Sequence, residues 1–166
     1  ISIAACLPKN NGYLPLAAAI YDPNRQELFS AALNMGATLQ TGSAPPHPTQ
    51  VSQTQAVADA VLALDWSSSD EKRSIILRLF NQLAADSFTM RSIGTAALAM
   101  AWVAAGRLDA YFNLHLRPWD VAAASLLVQE SGGAVTAPDG GTIAWNVDGM
   151  ACLLSNGRLA LNLDVP

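Results

Sequence analysis

The sequence predicts an α/β layered sandwich: an antiparallel strand meander followed by alternating strands and helices. Three observations carry this. The first third breaks into short apolar runs separated by turn residues. The apolar period then changes from strand-like to helical after Trp66. From there to the end, strand-length and helix-length segments alternate.

The meander is read from "ISIAACL", "YLPLAAAIYDP", "ELFSAAL" and "ATLQT", punctuated by "PKNNG", "DPNRQ" and "NMG". Connections that short favour antiparallel neighbours. "TGSAPPHPTQ", Thr41 to Gln50, reads as a Pro-rich loop, and "AVLALDW" as a short strand. A Ser-rich segment with Asp70 and Glu71 then opens a helix, with capping-box spacing from Ser68 to Glu71. Ile76, Leu79, Phe80 and Leu83 form its apolar stripe. "FTMRSIG" reads as a strand and "TAALAMAWVAAG" as a helix apolar all round, hence buried, stopped by Gly106. "RLDAYFNLHL" is a strand. "LRPWDVAAASLLVQESGG" is the next helix, with Pro118 in its first turn and Gly132–Gly133 at its end. "GAVTAPDGG" and "MACLLSN" are two further strands. The expected organisation is a meander over residues 1–50, belonging to the sheet of a larger amino-terminal part, and a carboxyl-terminal α/β domain over residues 51–166.

Composition narrows the function classes. The chain of 166 residues is 51% hydrophobic and only 13% charged, against roughly 25% charged in a typical soluble domain. The net charge of -4 and the lack of a Lys/Arg cluster argue against nucleic acid as a partner. No apolar run is long enough for a membrane span. Cys6 and Cys152 sit in apolar surroundings and read as reduced, buried thiols of a cytoplasmic protein. The scarcity of charge and the strand-first start predict uncovered apolar surface, and hence self-association.

Two helix starts could carry chemistry. Asp120, in the first turn of an apolar helix, complements the macrodipole; a carboxylate there also suits a hard cation such as Mg²⁺. Gly94 and Thr95 open the wholly apolar helix, whose free N–H groups suit an anion or a sugar hydroxyl, or an ordinary Thr cap. His47 and His115 lack metal-ligand spacing and read as surface or edge residues.

These pieces occur in a characteristic order. "RSIGTAALAMAWVAAGRLDAYFNLHLRPWDVAAASLLVQESGGAVT", Arg91 to Thr136, closely resembles the inositol monophosphatase family of Mg²⁺-dependent phosphatases. The resemblance rests on the G-T-A-A helix start, the "GRLDAYF" strand and the "WDVAA" signature, and extends over roughly Ile1 to Asn156. It implies that Asp120 is a metal ligand for Mg²⁺. It implies that Gly94, Thr95, Ala96 and Asn113 contact the substrate, a small polyol or sugar phosphate. Asp109 matches the family's pattern and is expected to be structural; the resemblance also implies a homodimeric assembly. Asn113 stands where the family commonly has Glu, and Ala99 where relatives often have Asp or Asn. The family's upstream Glu and D-P-x-D-G-T segment have no counterpart in this sequence. The chain is therefore expected to begin just downstream of them and to be inactive alone. The alternative is a non-catalytic family member that serves in assembly or binding.

Overall fold

The computed structural model describes residues 1–66, 70–161 and 163. Four antiparallel strands form the meander: β1 (Ser2–Lys9), β2 (Gly12–Asp22), β3 (Glu27–Ala32) and β4 (Ala37–Thr41). A two-residue strand, β5 (His47–Pro48), pairs with β4 inside the segment expected to be loop. The chain then runs through β6 (Val61–Leu64), α1 (Asp70–Asp86), β7 (Thr89–Arg91), α2 (Ala96–Ala104), β8 (Ala110–Leu116), α3 (Pro118–Glu130), β9 (Ala134–Thr136) and β10 (Met150–Ser155). Strand, helix and turn thus follow the predicted order, with "FTMRSIG" and "GAVTAPDGG" each shortened to three strand residues. Ser68, one half of the expected capping box, lies outside the described residues.

The first sheet has order β1-β2-β3-β4-β5. Its inner face is Ala18, Ile20, Phe29, Ala31, Ala37 and Leu39, all buried at period two. The β1–β2 register shifts between Ala5 and Cys6, where Pro15 on β2 pairs with Cys6. Proline has no N–H for the ladder, so an irregularity falls there. The outer edge strand leaves Ile1, Ile3 and Leu7 exposed. The second sheet is mixed, in order β7-β6-β8-β10-β9, with β6 parallel to both β7 and β8.

Helices α2 and α3 lie between the two sheets. One core joins the meander's inner face to Met100, Val103, Val121, Leu126 and Leu127, and to Ala63, Tyr111 and Leu154 of the second sheet. The other face of the second sheet (Leu62, Leu64, Phe112, Leu114) packs on Ile76, Leu79 and Leu83 of α1. The layers therefore run sheet, helix pair, sheet, helix. Strand β8 is buried along almost its whole length, with Ala110, Phe112 and Leu114 on one face and Tyr111, Asn113 and His115 on the other. Among the described residues no helix is long and apolar enough to cross a membrane. Both cysteines are free thiols; Cys152 is buried and Cys6 half-buried.

Two polar knots pin these layers. The buried Asp109 carboxylate accepts the Val61 N–H at 2.6 Å and the Ser52 hydroxyl, and Asn156 donates to Ser52 Oγ at 2.9 Å and to the Thr54 carbonyl at 2.8 Å. This gives Asp109 the structural place expected of it. Replacing Asp109 by Asn leaves one oxygen for the Val61 N–H but turns an NH₂ towards the Ser52 hydroxyl, so the charge-assisted bond from that hydroxyl is lost. The expected loss is about 3 kcal/mol, read from the urea unfolding midpoint.

The second knot is the bidentate pair of Arg107 with the buried Glu27, both bonds 2.7 Å. The Arg107 hydrogen bonds hold the Glu27 carboxyl below the usual range, against the opposing push of burial. A depressed carboxyl contributes stability that is complete above its unfolded value, about 4.3, and that is lost as pH falls through the lower folded value. Melting temperature should therefore decline on the acid side of pH 4, and Glu27→Gln should flatten that decline while lowering stability at neutral pH.

Candidate functional site

Strand β6 leads through α1 to β7 on one side, and β7 leads through α2 to β8 on the other. The direction of travel along the sheet reverses, so right-handed crossovers put α1 and α2 on opposite faces, as their separate cores show. Such a reversal leaves a crevice at the carboxyl ends of the strands, where open α/β sheets bind ligands. A hollow of about 420 Å³ occupies this place.

Each wall of the hollow has a local cause. Asp65 and Trp66 follow the carboxyl end of β6. Ser92 and Gly94 come from the loop before α2, and Ala96 from its first turn. Tyr111, Asn113 and His115 come from one face of β8, spaced two apart as a strand requires. Gly94 takes a left-handed conformation, φ +77°, with open space where a side chain would stand.

A hydrogen-bond network lines these walls. Asp65 Oδ1 accepts the Ser92 hydroxyl and the Gly94 N–H, both at 2.9 Å. Asp65 Oδ2 accepts the Tyr111 hydroxyl at 3.1 Å. Asn113 Nδ2 donates to the Tyr111 oxygen at 3.2 Å, and Asn113 Oδ1 accepts the His115 N–H at 2.9 Å. Burial first, and the Asp65 charge second, push the Tyr111 phenol well above its ordinary range, so it stays a donor. Lys72 Nζ lies 2.6 Å from His115 Nδ1. An ammonium only donates, so the imidazole proton sits on Nε2. The His115 ring also lies against Gly149, where a Cβ would come within 2.2 Å of it.

Three of the four sequence-derived substrate residues, Gly94, Ala96 and Asn113, meet in this hollow. Thr95 does not line it; it borders a neighbouring hollow with Pro23 and Asn24. Thr95 is the N-cap of α2, but its side chain makes no capping bond. Ala99, where a polar residue was noted as common, is fully buried core. His115 stands within β8 on the wall of the hollow rather than at a bland edge. Asp65 was missed by sequence reasoning. It stands at the end of an apolar strand run, and the carboxyl-end rule for open sheets supplies the signal that points to it.

Asp120 lies at the third position of α3, half-buried, and its Oδ2 accepts the Arg117 N–H at 2.9 Å. This is the capping arrangement that the dipole reading predicts. Its other oxygen makes no hydrogen bond among the described residues. The Asp120 charge reaches the buried Cys152 thiol, which burial first and this charge second push up to about 12. Cys152 pairs across the sheet with Asn113, so the acid stands on the side of the sheet that bears the hollow. As an oxygen donor with one free oxygen, Asp120 fits a single coordination position of a hard cation. No group of three or more His, Cys, Asp or Glu among the described residues is placed to hold a metal. Among the described residues the chain therefore offers the chemistry of one carboxylate ligand at Asp120 and no metal-holding cluster.

Comparison with known proteins identifies the family and the fold. The model of the inositol monophosphatase family matches residues 2–162. The chain is 38% identical over 129 residues to Nus factor SuhB of Escherichia coli K12, covering 75% of this chain and 45% of that protein. It is 35% identical over 129 residues to an inositol monophosphatase of Dictyostelium discoideum, covering 76% and 46%. Among solved structures, the Bartonella henselae suhB protein superposes with TM-score 0.77 at 31% identity, over 95% of this chain and 58% of that one. Mycobacterium tuberculosis SuhB gives TM-score 0.80 at 26% identity, again over 95% and 58%. The chain spans about half the length of the curated relatives it matches. With the family model matched along nearly its whole length, the chain belongs to the inositol monophosphatase family.

Proposed function

We propose that this chain forms the substrate-binding part of a Mg²⁺-dependent phosphomonoesterase acting on a small polyol or sugar phosphate in the cytoplasm. The observation that carries the reading is the convergence of Gly94, Ala96 and Asn113 on one polar hollow at the switch point of the second sheet. Asn113 offers an amide that donates and accepts, which suits hydroxyls. Trp66 presents an exposed ring at the same wall, an apolar surface for the C–H face of a sugar or polyol. Thr95, at the cap of α2, contacts the substrate from the neighbouring wall in this reading. Asp120 contributes one oxygen to the metal. The metal, when bound, supplies an activated water and neutralises the leaving oxygen.

Asp120→Asn decides between cap and ligand. A capping role alone predicts a loss of at most ~1 kcal/mol with turnover intact. A ligand role predicts collapse of phosphate release, a retained fold, and loss of the rise in melting temperature that Mg²⁺ gives the parent. The 166-residue chain alone should show negligible turnover, since one carboxylate does not hold a divalent cation tightly; robust Mg²⁺-dependent hydrolysis by it would overturn that part.

A second reading, an assembly or binding domain without catalysis, is favoured by the exposed Ile1, Ile3 and Leu7 along the edge strand β1. The relative named a Nus factor makes a partner-binding role worth the comparison. In either reading the chain should self-associate, as a homodimer in the phosphatase reading. Sedimentation should show a species larger than the monomer, and Ile3→Lys, which charges the edge, should shift it towards the monomer.

A further inference from the structure

We propose that Asp65 is a positioning residue for substrate hydroxyls: it holds the Asn113 amide through the Tyr111 hydroxyl and the Gly94 backbone directly, so that both walls of the hollow keep one arrangement. The substrate class rests on the phosphomonoesterase reading; the positioning rests on the network alone.

The direction of every bond in this network follows from chemistry. The His115 backbone N–H can only donate, so the Asn113 atom facing it at 2.9 Å is the carbonyl Oδ1. The other end of the amide, Nδ2, then faces the Tyr111 oxygen at 3.2 Å and donates to it. The Tyr111 proton must therefore point elsewhere, and the acceptor within reach is Asp65 Oδ2 at 3.1 Å. An ionised carboxylate only accepts, so the chain of donors ends there. The His115 N–H sets the face of the Asn113 amide, and Asp65, by taking the Tyr111 proton, leaves the Tyr111 oxygen turned to accept from Nδ2 and so holds that amide in place.

The same carboxylate anchors the opposite wall. Its Oδ1 takes the Gly94 N–H and the Ser92 hydroxyl. Gly94 is in the left-handed region and makes the bend that delivers Thr95 and Ala96 to the start of α2. Asp65 therefore ties the end of β6, the entry to α2 and the inner face of β8 into one unit. Tyr111 is fully buried and Asn113 is 5% exposed, so a lost internal partner is costly for both side chains.

The test uses the protein expressed from its full coding sequence, with Asp65→Asn, Tyr111→Phe and the double variant. The substrates are inositol 1-phosphate and p-nitrophenyl phosphate, the second lacking polyol hydroxyls. Asp65→Asn keeps the acceptor for Gly94 but turns an NH₂ towards the Tyr111 oxygen. KM for the inositol ester should rise about tenfold, the effect of one lost hydrogen bond, with kcat within about twofold and KM for the aryl ester unchanged. Tyr111→Phe, which preserves the buried ring, should do the same, and the double variant should be no worse than either single one. Equal changes for both esters, or additive losses, overturn the proposal. In parallel, NMR follows the Gly94 backbone amide and the Asn113 side-chain amide. In Asp65→Asn the Asn113 amide should shift and lose exchange protection while the Gly94 amide, which keeps its acceptor, stays protected; an unchanged Asn113 signal overturns the proposal. If the parent hydrolyses neither ester, the phosphomonoesterase reading falls, and the two amides alone decide the role of Asp65.

Discussion

The burial of α3 between two sheets is the constraint on which the rest of the molecule depends. From Val121 to Val128 every residue of this helix is buried. A helix covered on all sides needs small residues where backbones approach and larger ones where gaps remain. Ala122, Ala123 and Ala124 supply the first; Leu126, Leu127 and Val128 supply the second. Helix α2 repeats the pattern with Ala99, Met100, Ala101 and Val103. The alanine content of the sequence is thus a consequence of layer spacing. Polar groups at the ends set where α3 sits. Glu130, at its last turn, accepts the Asn34 and Gly36 N–H groups of the β3–β4 turn at 2.8 Å each. That carboxylate joins the helix to a turn whose backbone is left-handed at both positions.

Because α3 is fixed, so is the strand that feeds it. Strand β8 must present Ala110, Phe112 and Leu114 to α1 and Tyr111, Asn113 and His115 to the other side. Only at its carboxyl end, where α2 begins and β6 stops, is the second face not filled by apolar side chains. The polar residues of the hollow occupy this gap in the layer. Their hydrogen bonds are largely internal, from Ser92 and Gly94 through Asp65 and Tyr111 to Asn113. A site of this kind has its donors and acceptors set before a ligand arrives, which is the condition for selective binding.

Asp120 illustrates how a helix cap fixes the direction of a charged group. Its Oδ2 closes the first turn of α3 on the Arg117 N–H, which fixes the orientation of the carboxylate. The remaining oxygen is then held in one direction at the end of a rigid helix. Cys152 lies close enough to feel that charge and stays a neutral, buried thiol. Strand pairing brings Cys152 opposite Asn113, so carboxylate, thiol and amide share one region of the sheet although they are distant in sequence.

Much of the fold was legible in the sequence, because its signals are local. Turn residues such as "DPNRQ" and "NMG" mark the hairpins, the stripe from Ile76 to Leu83 marks an amphipathic helix, and Pro118 with Gly132 marks the ends of another. Gly94, Ala96 and Asn113, which line the hollow, were singled out through the ordered motifs around them. Asp65 and the place of His115 were not, since nothing local distinguishes an acid after an apolar run or a histidine within a strand. Nor does sequence spacing separate Thr95 from its neighbours Gly94 and Ala96, although it borders a different hollow. Those assignments depend on which strand lies beside which, and β6 meets β8 only after two crossovers and about 45 residues of intervening chain. The sequence by itself determined the elements, their order and the residue types at the helix starts, because these follow from periodicity and capping between near neighbours. Tertiary structure alone decided which polar groups face one another, because hydrogen-bond partners are chosen by distance in space and not by separation along the chain.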